Sequence, residues 1–299
     1  MSQEAQLKEK IKELQLELAQ KNLQISQYRH ELLRVNEALE KIAEQFNHEL
    51  KIAEAIQRVL SPTDLPHIQG VSFSSKFIPG AKTGGDYFEI FEHEDKMRFG
   101  ILVCSSSGYV MSAAMLGVLI KLSAQIEARR GLEPEQVIKK IIDEVINKIE
   151  SNDSSSLFYA IVNRRNFEMK YSSVGQIFGL LQLNTDKRLV QLQPSTGKLK
   201  KGFSEIPLSQ SISLGPRDRL ILCTEGLLEA QNSNKESFGK EGVQQAVLHA
   251  PRLGVHELRN EILFKMEQFV GSTEAARDIT ILVTEVKDRV IKLAKKSSV

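Results

Sequence analysis

Between Met1 and Ser61 the chain has neither glycine nor proline, and this absence constrains its fold more than any other feature. Proline breaks a helix and glycine weakens one, so a long stretch lacking both can run as a single helix. Its apolar residues Leu7, Ile11, Leu14, Leu18, Ile25, Tyr28, Leu32, Val35, Leu39, Ile42 and Phe46 step alternately by four and three, with Lys21 filling the one polar gap. A repeat averaging about 3.5 residues keeps a narrow stripe on one side of the helix, the seam of a coiled coil. The steps from Phe46 to Leu50 and Ala53 form a four-residue stutter, and Pro62 and Pro66 end the helix. Residues 1–60 are therefore expected to form a coiled-coil dimerisation and linker helix. The narrow seam between polar faces favours self-association, as a homodimer, over packing on the chain's own domain.

From Val71 the period changes to two, with Val71, Phe73, Ser75 and Phe77 alternating with other residues before the turn signals Pro79-Gly80 and Gly84-Gly85. Further strands are expected at 86–92, 97–104, 157–163, 167–173, 178–183, 189–192, 219–223 and 279–286. Helices are expected at 111–129, 134–150, 240–249 and 255–269, the second opening on Pro134 at a favourable first position. Ser151–Ser156 is expected to be a polar linker. Short hairpin connections imply antiparallel sheets, whose outer faces the helix pairs must cover. The expected fold class is α+β: an α-β-β-α sandwich over residues 61–288, preceded by the long helix and followed by a basic tail, 289–299.

Composition narrows the function. Hydrophobic residues make up 41% and charged residues 26%, a balance ordinary for a soluble globular chain. A formal charge of +2 gives no bias toward nucleic acid or a membrane surface. Cys104 and Cys223 each sit in an apolar run, which suits buried, reduced thiols in the cytoplasm. No secretory leader is legible, and no stretch approaches the roughly 20 consecutive apolar residues that cross a bilayer. The six histidines form no metal-ligand spacing.

Four segments place polar groups next to apolar strands: Gly84-Gly85-Asp86-Tyr87-Phe88-Glu89, Ser105-Ser106-Ser107-Gly108, Thr224-Glu225-Gly226 and Arg277-Asp278-Ile279-Thr280. Together with Ile56-Gln57, Leu60-Ser61-Pro62, Ala113-Ala114, Asp218-Arg219-Leu220, Glu229-Ala230 and Phe238-Gly239, and in this order, they resemble the SpoIIE-type branch of the metal-dependent serine/threonine protein phosphatases, the PPM family. The resemblance implies the α-β-β-α sandwich. It also implies a site in which aspartates hold two Mn²⁺ or Mg²⁺ ions that activate water against a phosphoserine or phosphothreonine.

Carried onto this chain, that ligand set is degenerate. Asp86 is kept, Ser105 stands where an aspartate opens the second motif, Glu225 replaces the third-motif aspartate, and Arg277 replaces the first aspartate of the last motif, leaving Asp278. Four aspartates and two divalent ions sum to zero. Asp86, Glu225 and Arg277 already sum to −1, and two divalent ions would take them to +3. If any metal binds, Asp86 and Glu225 are its expected ligands, but the expectation is that none does. Arg277 is expected to bridge Asp86 and Glu225 instead. The resemblance then implies a pseudophosphatase that binds a regulatory partner, a STAS-type or other phosphorylated protein, with no part played by nucleic acid or membrane. The alternatives are a weak phosphatase using one Mn²⁺ or Mg²⁺ held by Asp86, Glu225 and Asp278, and a coiled-coil scaffold.

Overall fold

The computed structural model describes residues 3–60, 65–80, 84–93, 97–108, 110–251, 253–273 and 275–287. Pro62, Tyr109 and the basic tail 289–299 lie outside them. The chain divides into two units, Met1–Ile52 and Ala53–Val299. Helix α1, Gln3–Leu60, runs for 58 residues, about 87 Å at roughly 1.5 Å per residue. Within the first unit the seam residues from Ile11 to Phe46 are all exposed.

In the second unit, strands β1 (Val71–Ile78), β2 (Tyr87–Glu92) and β3 (Arg98–Ser107) are followed by helices α2 (Val110–Glu127) and α3 (Pro134–Val145). Strands β4 (Ser154–Asn163), β5 (Glu168–Val174), β6 (Phe178–Gln182), β7 (Leu189–Leu192), β8 (Gln210–Ser213) and β9 (Arg219–Cys223) come next. A single turn, α4 (Glu225–Leu228), helices α5 (Gly239–His249) and α6 (Val255–Val270), and strand β10 (Ile279–Val286) complete the order. The strands form two five-stranded antiparallel sheets, β1-β10-β9-β6-β7 and β2-β3-β4-β5-β8.

Period-two side chains explain the layers. Along β3, Phe99, Ile101 and Val103 face the other sheet and share one core with its Phe73, Leu222 and Leu282 and with Phe158 of the neighbouring β4. The alternate residues Leu102 and Cys104 face outward and are covered by α2 and α3. A stretch of strand buried on both faces has to be apolar, as Phe99–Cys104 is. Helix α3 turns Val137, Ile138, Ile141, Ile142 and Val145 inward, and a capping box between Glu133 and Gln136 fixes its start. The second sheet face is covered by α5 and α6 through Val243, Val247, Leu258 and Ile262. The α-β-β-α sandwich behind a long helix is what the period change implied.

Four expectations are corrected. Ser154–Ser156 are not linker but the first residues of β4, paired with the end of β3. The edge strand β8 and the turn α4 are additional; β8 pairs only with β5, and its short polar sequence carries no alternation. The helix expected over 134–150 stops at Val145 in a tighter 3₁₀ turn. Finally, Met111–Arg130 is long and apolar enough by composition to cross a membrane, although Lys121, Gln125 and Glu127 interrupt its sequence. Here its Leu116, Ile120 and Ala124 are buried in the helix-on-sheet core, and Ala113 and Ala114 are buried too.

Candidate functional site

All four motifs end up at one end of the two sheets. Asp86 precedes β2, Ser105–Ser107 close β3, Ser154–Ser156 open β4, Thr224 and Glu225 follow β9, and Arg277 and Asp278 precede β10. Close backbone packing brings them together. A Cβ on Gly85 would lie 2.1 Å from the Ala113 carbonyl oxygen, and one on Gly226 would lie 2.0 Å from that of Asp278. Both glycines are present because no side chain fits there.

A cleft of about 540 Å³ opens between these segments, with Asp86, Ser105–Gly108, Lys198, Lys200, Arg277 and Asp278 among its lining residues. Asp86 forms its floor, 4% exposed. Ser105 Oγ donates to its Oδ1 at 2.6 Å and Thr280 Oγ1 to its Oδ2 at 3.0 Å. Burial, and then the charge of Asp278, push its pKa up to about 7 against the opposing pull of the Ser105, Thr224 and Thr280 hydroxyls. Asp278, also buried, accepts from the Gly80 N–H at 3.0 Å and the Gly84 N–H at 3.1 Å, tying the loop before β2 to the start of β10.

Glu225 is buried at the head of α4. Its Oε1 accepts from Ser156 Oγ at 2.9 Å, while its Oε2 accepts from Lys198 Nζ at 2.5 Å and Arg277 Nη1 at 3.1 Å. The Nε of Arg277 lies 3.3 Å from Glu229 Oε2. The expected bridge is therefore corrected in one half. Arg277 reaches Glu225 but joins it to Glu229, not to Asp86. Glu225 and Glu229 stand one helical turn apart and present their carboxylates to the guanidinium from the same side. Asp86 already has hydroxyl partners on both oxygens.

Several participants escaped the sequence reading. The runs Ser105–Ser107 and Ser154–Ser156 lie in register, Ser105 opposite Ser156, Ser106 opposite Ser155 and Ser107 opposite Ser154. The hydroxyls of Ser106 and Ser155 pair at 2.8 Å, and those of Ser107 and Ser154 at 2.9 Å. Two serine runs 49 residues apart are the signal that could have shown this ladder. Asp153 is buried against Gly108, where a Cβ would come within 2.0 Å of its Oδ1. Lys198 and Lys200 come from the long connection before β8, where no strand or helix pattern announces them.

The donor set does not fit a two-metal centre. Both oxygens of Asp86, of Glu225 and of Asp278 are engaged by hydroxyls, cations or amides. Among the described residues no three acidic, histidine or cysteine side chains converge as a metal-binding group. A divalent ion needs several oxygen ligands turned toward one point, and an arginine and a lysine at Glu225 oppose that charge.

Residues 95–287, more than half of the chain, match the family described as Stage II sporulation protein E (SpoIIE), and the chain belongs to that family. It is 22% identical over 201 residues to the phosphoserine phosphatase RsbU of Bacillus subtilis, covering 67% of this chain and 59% of that protein's length. The SiaA-PP2C domain of Pseudomonas aeruginosa has the same fold, with a TM-score of 0.65 and 18% identity over 83% of this chain and 98% of that one. The catalytic domain of the serine/threonine phosphatase PstP, solved with two manganese ions, matches with a TM-score of 0.54 and 13% identity over 73% of this chain and 99% of that one.

Proposed function

We propose that this SpoIIE-family chain is a bacterial signalling protein with a phosphatase fold and impaired catalysis, which acts by holding a regulatory partner. The observation that carries this reading is the ion pair of Arg277 with Glu225, with Lys198 on the same carboxylate oxygen. Cations supplied by the chain stand where the family's chemistry calls for metal ions. Hydrolysis of a phosphomonoester needs an activated water and positive charge on the phosphoryl oxygens. Arg277 and Lys198 can supply the charge, but both oxygens of Asp86, of Glu225 and of Asp278 are engaged by other groups.

In this proposal residues 1–60 form a homodimeric coiled coil, residues 61–288 form the partner-binding domain, and 289–299 form a basic tail. The partner class is a phosphorylated regulatory protein of the STAS type, and the setting is cytoplasmic. The likeness to RsbU, a phosphoserine phosphatase, supports a phosphorylated partner.

Calorimetry with Mn²⁺ and turnover of a generic phosphomonoester test the central claim. The expected result is neither tight Mn²⁺ binding nor turnover. Turnover that depends on Mn²⁺ and disappears in Asp86→Ala would refute it in favour of a one-metal enzyme. Retention of partner binding by residues 1–60 alone would refute it in favour of a scaffold.

A further inference from the structure

Helix α1 carries a second stripe besides its seam. Counted from Ile11 and Leu14, the seam takes the first and fourth positions of a seven-residue repeat. In the same count Leu16, Ala19, Leu23, Ser26, His30 and Leu33 fall on the sixth and second positions, again in steps of three and four. Those positions lie on the back of the helix, the side that a two-stranded coil turns to water and ordinarily fills with charge. Outside this span α1 does so, with Lys12 before it and Glu37, Glu40 and Glu44 after it. Within the span neither position holds a carboxylate, a lysine or an arginine. Leu16, Leu23 and Leu33 are 64%, 63% and 60% exposed, as open as the seam residues Leu18 and Leu32. One exposed leucine means little, but a periodic row over roughly 26 Å of helix is a face.

In the proposed coiled coil the seam is taken, so the back stripe calls for another helix. The stripe is complementary to itself when reversed. Turned end for end about the point between Gln24 and Ile25, it sets Leu23 against Ser26, Ala19 against His30 and Leu16 against Leu33. Large side chains then meet small ones in the middle of the contact, and symmetry repeats each pairing. The same register brings Lys12 of one helix opposite Glu37 of the other at both ends of the stripe. A parallel pairing would set Leu23 on Leu23, Lys12 on Lys12 and Glu37 on Glu37. Opposed like charges of that kind select against it.

We infer that the occupant of the back stripe is a second copy of this chain, and that coiled-coil dimers associate antiparallel through residues 12–37. The inference goes beyond the proposed function and rests on its coiled-coil part. Each dimer has two such faces, one on each helix, turned away from one another. A two-fold contact at each therefore continues from dimer to dimer and does not close at a tetramer. Assembly grows with protein concentration by mass action.

The test is sedimentation velocity of the full chain at rising concentration. The expected result is a dimer when dilute, with tetramers and larger species as the concentration rises. Leu23→Glu, off the seam, is expected to remain a dimer throughout, with helix content unchanged by circular dichroism. Lys12→Glu and Glu37→Lys are each expected to weaken the higher association roughly tenfold, since each contact holds the pair twice, and the double reversal to restore it. A parent that stays dimeric at every concentration overturns the inference and leaves the coiled coil standing. A parent that is monomeric throughout overturns both. Larger species persisting in Leu23→Glu overturn the assignment of the stripe, and a double reversal that fails to recover overturns the antiparallel register.

Discussion

Replacing Asp86 with asparagine keeps the shape of the side chain and removes its ionisable proton from the floor of the cleft. In the folded chain that carboxyl holds its proton up to about pH 7, against 3.8 for an ordinary aspartate, chiefly because it is buried and then because Asp278 is near. Below about pH 4 both the folded and unfolded chains carry the proton, and the residue has no electrostatic effect on stability. Between about 4 and 7 the unfolded chain has released it and the folded chain has not. The folded state then binds more protons, so stability falls as pH rises and levels off above 7. A span of roughly three pH units corresponds to at most about 4 kcal/mol. The amide of asparagine must find an acceptor among the Ser105, Thr224 and Thr280 hydroxyls, which costs about 1–2 kcal/mol. Asp86→Asn is thus expected to stabilise the domain by about 2–3 kcal/mol at pH 8, a rise of roughly 5–10 °C in Tm, and to be neutral or slightly destabilising at pH 4. Thermal unfolding of both proteins from pH 4 to pH 8 measures this. A variant less stable than the parent at pH 8 would refute the reasoning. So would Mn²⁺ raising the Tm of the parent but not of the variant, since Asp86 would then be holding a metal in its ionised form.

Other expectations follow from the same geometry. Arg277→Ala leaves Glu225 paired with Lys198 and Ser156, and because Arg277 is partly exposed its loss is expected to cost only about 1 kcal/mol in urea unfolding. Gly226→Ala forces a Cβ against the Asp278 backbone and is expected to destabilise by more than about 3 kcal/mol, visible as loss of folded yield or a large fall in Tm. Leu199→Ala opens the core beneath α2 and α3 and is expected to cost about 2–5 kcal/mol by the same unfolding assay. Lys21→Leu completes the apolar seam and is expected to tighten self-association, measured by sedimentation; unchanged association would place Lys21 off the interface.

The sandwich was legible where side-chain period and burial agree. Strands β7, β9 and β10 fall on their expected bounds because each is a short apolar run closed by polar turns. The serine segment opening β4 was misjudged for the opposite reason. Its residues are polar because they face each other and the cleft, and a polar run looks the same whether it pairs with another strand or with water. The four motifs announced the location of the site but not its wiring. Opposite charges at Glu225 and Arg277 were enough to expect a pair. That the other arm would go to Glu229 depends on the turn α4, which is a single turn and leaves no periodic trace. Lys198 lies 27 residues before its carboxylate partner, and backbone bridges at Thr196 and Leu199 hold the connection that brings it there. Contacts of that kind are written in three dimensions and leave no spacing to read.

Leu199 also gives the cleft a lever. One residue has its side chain seated in the helical layer and its flanking lysines in the opening at the strand ends. Any shift in how α2 and α3 sit would tilt that residue about its bridge to Ser155, and the two ammonium groups would swing with it. The helical layer is thus mechanically in touch with the positive charge at the mouth of the cleft.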